Sequence, residues 1–106
     1  IDVHETNSQV IAECDLPGIK NKEDIHIDIR DARQLKISAV KESVTETHNA
    51  HIDRQERSVG RVERMITLPA EVDIEGTTAH YKNGVLTITM PKVNEGIQSR
   101  IDVDFE

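Results

Sequence analysis

Apolar residues recur at every second position along most of this chain. The clearest example is DIHIDIR, in which Ile25, Ile27 and Ile29 alternate with charged or polar residues. Successive side chains of a β-strand point to opposite faces, so this period of two indicates strands with one buried face. Since no long stretch follows the roughly 3.6-residue period of a helix, the alternation predicts an all-β fold.

Turn signals divide the chain into short strands. Pro17-Gly18 ends the first long alternating run, and DARQ separates the DIHIDIR run from the next one. Asn83-Gly84 lies between two further runs and predicts a two-residue type I′ hairpin, because both positions tolerate positive φ. About seven or eight strands with turns at intervals of roughly ten residues predict an antiparallel β-sandwich.

The composition limits the class of protein. At 106 residues the chain fits one domain, and with 36% apolar residues, one Phe, one Tyr and no Trp its core must be mainly aliphatic. A net charge of −7 argues against nucleic acid as a partner, since phosphate binding needs clustered Lys and Arg. No apolar run approaches the roughly 20 residues that span a bilayer. We therefore expect a soluble protein that binds neither nucleic acid nor a membrane.

Cys14 and the first residue bear on location and completeness. Cys14 is the only cysteine, so no internal disulfide can form, and its place in an alternating run predicts a buried thiol. No basic segment followed by an apolar one marks the start as a secretory signal, and we expect a reducing, cytoplasmic location. The chain opens at Ile1 without Met, so we expect that an N-terminal part has been removed.

Two features interrupt the alternation. Residues 41–57, KESVTETHNAHIDRQER, are long for a connection and leave room for one short strand around Ala50 and Ile52. Loops longer than roughly 12–15 residues are usually functional or disordered, so we expect an excursion from the body of the domain. Arg64 lies among apolar residues on one face of the following strand, which predicts a buried guanidinium at a structural or interface position.

Motifs for catalysis are not found in the sequence. The chain has no Gly-rich phosphate loop and no GxSxG, so neither nucleotide hydrolysis nor a nucleophile elbow is supported. His48 and His51 are three residues apart, but zinc requires two further ligands that the pattern does not supply. We expect no enzyme activity, no cofactor and no metal site, and a function carried by the protein surface.

The chain ends in a strand-like segment, GIQSRIDVDFE. Ile101, Val103 and Phe105 alternate there with acidic residues, after a linker-like break at residues 94–96. An extended segment with one apolar face can add to an exposed sheet edge, and a sandwich has such edges. We therefore expect the tail to be a ligand for such an edge.

These segments resemble the α-crystallin domain of small heat-shock proteins over essentially the whole chain. The similar stretches are IDVHET, DLPGIKNKEDIHIDI, RQERSVGRVERMITLPAEVD and AHYKNGVLTITMPK, and A-x-x-x-N-G-V-L at residues 79–86 matches the family signature. The resemblance implies an immunoglobulin-like sandwich of residues 1–92 and a C-terminal extension of residues 93–106. It also implies an ATP-independent holdase that dimerises, assembles into larger oligomers and binds unfolding client proteins.

The resemblance also implies roles for individual residues. Residues 41–57 are similar to the family loop that carries a strand into the partner's sheet. The tail contains the family's I-x-I/V oligomerisation motif, here Ile101 and Val103, which docks between two edge strands of a neighbouring subunit. The implied docking groove contains Ile25, Ile27, Ile29, Ile74 and Thr78. The implied dimer interface contains Ile52, Arg54, Glu56, Arg57 and Arg64.

An alternative function remains open from the sequence. A CS-type co-chaperone or adaptor shares the sandwich architecture and docks as a monomer onto one specific partner. The long segment 41–57 and the tail motif favour the holdase, and the oligomeric state distinguishes the two. The variable N-terminal arm of the family, which contributes to client binding, is expected to be missing from this sequence.

Overall fold

A computed structural model describes the backbone of residues 1–48, 53–93 and 103–105, and the side chains of residues 1–42, 58–93 and 103–105. Within these residues the chain forms seven β-strands and one turn of 3₁₀-helix, Lys22–Asp24. The strands are β1 (Asp2–Glu5), β2 (Gln9–Asp15), β3 (Ile25–Arg30), β4 (Gln34–His48), β5 (Asp53–Thr67), β6 (Thr78–Lys82) and β7 (Val85–Pro91). The predicted all-β fold is confirmed.

The strands form two antiparallel sheets around one core. The first sheet has the order β1-β2-β7-β6, and the second has the order β3-β4-β5. Alternation along the central strands sends their apolar side chains into the space between the sheets. The buried residues are Val10, Ala12, Cys14, Leu16, Leu35, Ile37, Ala39, Leu68, Val72, Leu86, Ile88 and Met90. The predicted β-sandwich and the buried thiol of Cys14 are confirmed.

Edge strands bury their apolar residues less completely than central strands do. Ile25, Ile27 and Ile29 of β3 pack against the core but are only half-buried. Leu35 and Ile37 of the adjacent β4 are 0% and 1% exposed. Because an edge strand has a sheet neighbour on one side only, part of the apolar face of β3 stays open.

The turn between β6 and β7 has the predicted conformation. Lys82 pairs with Val85 across a two-residue loop, and Asn83 and Gly84 have φ values of 53° and 79°. Both are in the left-handed region that a type I′ turn requires. The Leu16 amide donates a 2.7 Å hydrogen bond to the Gly84 carbonyl, which attaches the turn to the chain just beyond β2.

The segment 41–57 differs from its predicted form. Its described parts are continuations of β4 and β5, which pair without interruption from Gln34↔Thr67 to His48↔Asp53. The sequence left room for only one short strand here, whereas the described residues continue two long paired strands; Ala50 and Ile52 lie outside the described residues. We call residues 41–48 and 53–60 the arm.

A physical reason explains why alternation did not reveal the arm. In the described chain β3 pairs with β4 only as far as Ala39, so beyond that residue β5 is the only strand paired with β4. Alternation reports a buried face, whereas a two-stranded ribbon is held by its own backbone ladder. The arm therefore needs no apolar stripe in its sequence.

Candidate interaction surfaces

The edges of the two sheets are the candidate binding surfaces of this chain. In the described residues the first sheet ends at β1 and β6, and the second at β3 and β5. The outer side of an edge strand presents backbone N–H and C=O groups that can pair with another chain. Each of these edges is therefore a place where a strand could be added.

A groove opens between the edge strands β3 and β6, and we call it the β3–β6 groove. It encloses a cavity of about 450 Å³. Its lining residues come from the segment before β3 and from strands β3, β6 and β7: Ile19, Lys20, Asn21, Lys22, Ile25, Ile27, Ala79, Tyr81 and Leu86. Aliphatic and aromatic side chains provide most of this surface, and two lysines lie at one end.

The groove contains some of the residues predicted for it and not others. Ile25 and Ile27 line the cavity, but Ile29, Ile74 and Thr78 are not among its lining residues. Ile74 lies before β6 and is 64% exposed. Thr78 pairs with Thr89 on the face of the sheet that is turned away from the core. The edge strand on this side of the groove is β6, Thr78–Lys82, so Ile74 lies outside it.

Two inward-facing residues of β6 were missed by the sequence reading. Ala79 and Tyr81 line the groove, and the alternation within AHYK could have identified them once the strand was correctly bounded. The Tyr81 hydroxyl donates a 2.6 Å hydrogen bond to the Leu16 carbonyl. This contact fixes the ring against the end of β2, so the groove has a defined wall.

The segment that closes one end of the groove had no periodic signal. Residues 19–22 precede a single 3₁₀ turn, in which the Asp24 amide donates a 3.0 Å hydrogen bond to the Asn21 carbonyl. Lys20 Nζ lies 3.5 Å from Glu42 Oε2 at the base of β4. These contacts hold the lysine-bearing segment beside β3.

A smaller, polar cavity lies on the β1 and β5 side of the sandwich. Its volume is about 260 Å³, and its lining residues are Ile1, Asp2, Glu13, Cys14, Asp15 and Arg64. Arg64 is exposed, and its Nη1 donates a 3.0 Å hydrogen bond to the carbonyl of Glu63. The prediction of a buried guanidinium was therefore wrong for the single chain.

The position of β5 explains the exposure of Arg64. Arg64 pairs with Ile37, whose side chain is buried, so it faces the same side of the sheet as the core. Because β5 is an edge strand, the Arg64 guanidinium extends past the sheet into solvent. Three carboxylate residues line the same cavity, so the local environment is acidic.

Three of the remaining residues predicted for the dimer interface lie in the arm. Arg54, Glu56 and Arg57 are on β5, where their backbones pair with Thr47, Thr45 and Val44. Ile52 lies outside the described residues. The pairing shows that these positions belong to a regular strand, and their place in a dimer stays a prediction.

The tail exposes its apolar residues. Val103 is 81% exposed and Phe105 is 95% exposed, while Ile101 lies outside the described residues. Within the described chain, no groove of the same molecule covers these two side chains. Docking of the motif on another molecule stays a prediction.

Other chemistry in the described residues is limited. No group of three or more His, Cys, Asp and Glu side chains there could hold a metal ion. In the same part of the chain, no helix is long and apolar enough to cross a membrane. On the outer face of the β3-β4-β5 sheet, Lys36 Nζ lies 2.7 Å from Glu63 Oε1, and this hydrogen-bonded ammonium lowers the pKa of Glu63 below its ordinary value.

The fold and its surfaces define an immunoglobulin-like β-sandwich with open edge strands, and comparison with known proteins identifies the family. The chain belongs to the Hsp20/alpha crystallin family, which matches residues 2–105. Small heat shock protein C2 of Rickettsia felis is 39% identical over 102 residues, which are 96% of this chain and 65% of the relative. Heat shock protein 16 of Schizosaccharomyces pombe is 39% identical over 97 residues, or 90% of this chain and 66% of the relative.

Solved structures agree with the family and the fold. Heat shock protein 16.0 from Schizosaccharomyces pombe superposes with a TM-score of 0.67 at 34% identity, covering 99% of this chain and 94% of that one. The hspA protein from Xanthomonas axonopodis has a TM-score of 0.67 at 32% identity, covering 89% and 92%. The chain spans about two thirds of the length of the curated relatives it matches. The predicted family is confirmed.

Proposed function

We propose that the protein is an ATP-independent holdase of the small heat-shock type, which binds unfolding proteins before they aggregate. The observation that supports this most directly is the apolar β3–β6 groove, left open between two edge strands in a member of the Hsp20/alpha crystallin family. Open edges and apolar grooves bind extended, partly unfolded chains through backbone pairing and side-chain burial. Binding of this kind shifts the folding equilibrium and needs no chemical energy.

The proposal includes assembly from dimers. The arm, with Arg54, Glu56 and Arg57, would cross to the partner together with Ile52 and add a strand to an open edge of its sheet. Arg64 would lie at this interface, beside the carboxylates of the polar cavity. The family match and the free edges of the described sheets support this arrangement.

Larger oligomers would form through the tail. Ile101 and Val103 would dock into the β3–β6 groove of a neighbouring subunit, between β3 and β6. The exposure of Val103 and the open apolar floor of the groove support this step. Residues 93–106 would then act as an extension of the domain formed by residues 1–92.

The remaining parts of the proposal concern partners and location. The protein would act without enzyme activity, cofactor or metal, on itself and on unfolding clients, in the cytoplasm. The net charge of −7 disfavours nucleic acid as a partner. The same charge would help to keep client complexes dispersed.

An aggregation assay tests the holdase proposal. An enzyme that aggregates on heating is warmed with a stoichiometric excess of the full-length protein, and light scattering is followed with and without ATP. We expect suppressed scattering that ATP does not change, whereas an immunoglobulin domain at the same concentration should have no effect. Aggregation at the unaided rate would refute the proposal.

Sedimentation distinguishes the holdase from the CS-type adaptor. At micromolar concentration we expect a dimer or a larger species, because both the arm and the tail would bind other subunits. A lone monomer would favour the adaptor.

A further inference from the structure

The lining of the β3–β6 groove combines apolar side chains with two lysines. Ile25, Ile27 and Tyr81 belong to its apolar floor, whereas Lys20 and Lys22 lie at the end formed by the segment before β3. Both lysines are exposed. Lys20 keeps 57% of its side-chain surface open although it lies 3.5 Å from Glu42, and Lys22 has no ion-pair partner within 4.0 Å among the described residues. Glu23 and Asp24 follow in the same segment but do not line the cavity, so the lining itself carries two ammonium groups and no carboxylate and can receive negative charge.

The tail offers the complementary pattern. Asp102, Asp104 and Glu106 alternate with the apolar residues Ile101, Val103 and Phe105. In an extended segment such alternation places the apolar side chains on one face and the carboxylates on the other. A docked tail would direct its apolar face to the groove floor and hold its carboxylates along the rim, within reach of flexible lysine side chains.

We propose that the β3–β6 groove selects its occupant by charge as well as by apolar fit, and that this occupant is the acidic tail of a second copy of the chain. Lys20 and Lys22 pair with Asp102, Asp104 and Glu106 of that copy. This inference rests on the tail docking under the proposed function and adds the chemistry that decides which extended segment enters the groove. A segment with the same apolar spacing but basic residues between would be rejected.

The salt dependence of such docking has a characteristic sign. Two chains with a net charge of −7 repel each other, and salt screens this repulsion, which by itself would strengthen association. Salts that are excluded from the protein surface also strengthen apolar association, so this effect has the same sign. Binding that weakens with added salt therefore requires local pairs of opposite charge, as between this tail and the two lysines.

The size of the effect can be bounded. An exposed ion pair changes an affinity by less than about fivefold, so two lysines together account for about tenfold. An oligomer closes many tail contacts at once, and small differences for each contact are multiplied by this multivalency. Charge can thus decide the occupant even though apolar burial supplies most of the affinity.

A peptide-binding experiment tests the inference. The groove is supplied by the full chain carrying Ile101→Ser and Val103→Ser, so that its own tail does not compete. The probe is a fluorescent peptide of residues 98–106, and fluorescence anisotropy gives its dissociation constant. We expect binding that weakens between about 50 mM and about 500 mM NaCl, and binding about tenfold weaker when the peptide carries Asp102→Lys and Asp104→Lys.

Groove variants complete the design. Lys20→Glu together with Lys22→Glu should weaken the native peptide about tenfold and should restore binding of the charge-reversed peptide. Lys82→Glu is the matched control, because Lys82 is on β6 but does not line the groove; its effect should be less than about twofold. The comparison of the native with the charge-reversed peptide uses the unchanged groove, so the test remains valid even if a groove variant fails to fold.

The outcomes separate this inference from the function on which it rests. Equal affinities for the native and the charge-reversed peptides, independent of salt, would overturn charge selection and leave the docking intact. If the native peptide bound no better than a peptide with Ile101→Ser and Val103→Ser, the docking itself would be refuted, and the inference with it.

Discussion

Arg64 is a residue for which we propose a role in assembly rather than in folding. Its side chain is exposed at the edge strand β5 and shares a polar cavity with Asp2, Glu13 and Asp15. A solvated guanidinium contributes little to the stability of a single chain. If a partner covers this side of the sandwich, the same charge becomes buried, and its loss would leave the carboxylates unpaired.

The substitution Arg64→Ala should therefore act on the dimer. We expect a change of less than about 0.5 kcal/mol in the free energy of unfolding of the monomer. The dissociation constant of the dimer should increase by about 30-fold or more, which corresponds to about 2 kcal/mol. Sedimentation over a dilution series measures the dimer, in a background with Ile101→Ser and Val103→Ser that stops larger assembly.

Arg61→Ala provides the control for this prediction. Arg61 lies on the same strand and pairs with Val40. Because β5 is regular between the two residues, which are three positions apart, Arg61 faces the opposite side of the sheet from Arg64. The dimer should tolerate its loss. Equal dimer dissociation constants for wild type and Arg64→Ala, together with unchanged melting, would contradict the interface role.

At the scale of elements, the β6–β7 hairpin positions one wall of the groove. Its turn is attached to the end of β2 through the hydrogen bond between Leu16 and Gly84, and Tyr81 donates to the carbonyl of Leu16. Gly84 has a φ of 79°, and a Cβ added there would lie 3.5 Å from Pro17 Cα. The backbone conformation, more than the available space, makes glycine the suitable residue.

Gly84→Ala should destabilise the domain by about 1–2 kcal/mol, because an L side chain in the left-handed region is strained. Urea unfolding measures this change. Gly60→Ala is the control, since Gly60 is in β5, where an added Cβ meets no atom within 4 Å and φ lies outside the left-handed range. The free energy of unfolding of Gly60→Ala should be within about 0.5 kcal/mol of the wild-type value. An equal loss of stability in both variants would show that the turn conformation is not the cause.

At the scale of the whole molecule, the described residues leave apolar surface exposed that another molecule could cover. The described chain leaves the β3–β6 groove open and exposes Val103 and Phe105. The exposed tail residues of one chain and the β3–β6 groove of another could bind each other, since the two do not contact each other within the described chain. Repeated over many subunits, this head-to-tail contact would produce oligomers larger than a dimer.

Ile101→Ser combined with Val103→Ser should dissolve the larger species and leave dimers. The physical reason is the loss of two apolar side chains whose burial contributes about 1.5–3 kcal/mol each. Native mass spectrometry or sedimentation of the full-length protein gives the size. Val93→Ser is the control, because Val93 is 37% exposed and lies before the motif; unchanged oligomer size in the double variant would refute the assembly role of the tail.

Much of the fold was predictable because its signals are local. The alternation around Ile27 and Ile37 specifies strands and their inward faces, and Asn83-Gly84 specifies a turn by the conformations that these two residues tolerate. The arm was not predictable in the same way. Its strands are held by a backbone ladder, which any sequence without proline can supply, so no apolar pattern marks it.

The candidate site was only partly predictable. The resemblance placed Ile25 and Ile27 in the groove, and both line its cavity, whereas Ile74 and Thr78 do not and Ala79 and Tyr81 do. The start of β6 at Thr78 was not predictable from local pattern, because where a strand begins depends on its pairing with a neighbouring strand. The lysines at the end of the groove have no sequence signal, since they lie in an irregular segment.

The sequence by itself determined the all-β class, the inward-facing residues, the hairpin turn and the family, because each depends on the chemistry and spacing of neighbouring residues. Only the tertiary structure decided which strands are edges. That choice depends on pairing between distant segments, such as β2 with β7 and β3 with β4. It exposes Arg64, opens the groove between β3 and β6, and brings Lys20 and Lys22 to the end of an apolar floor.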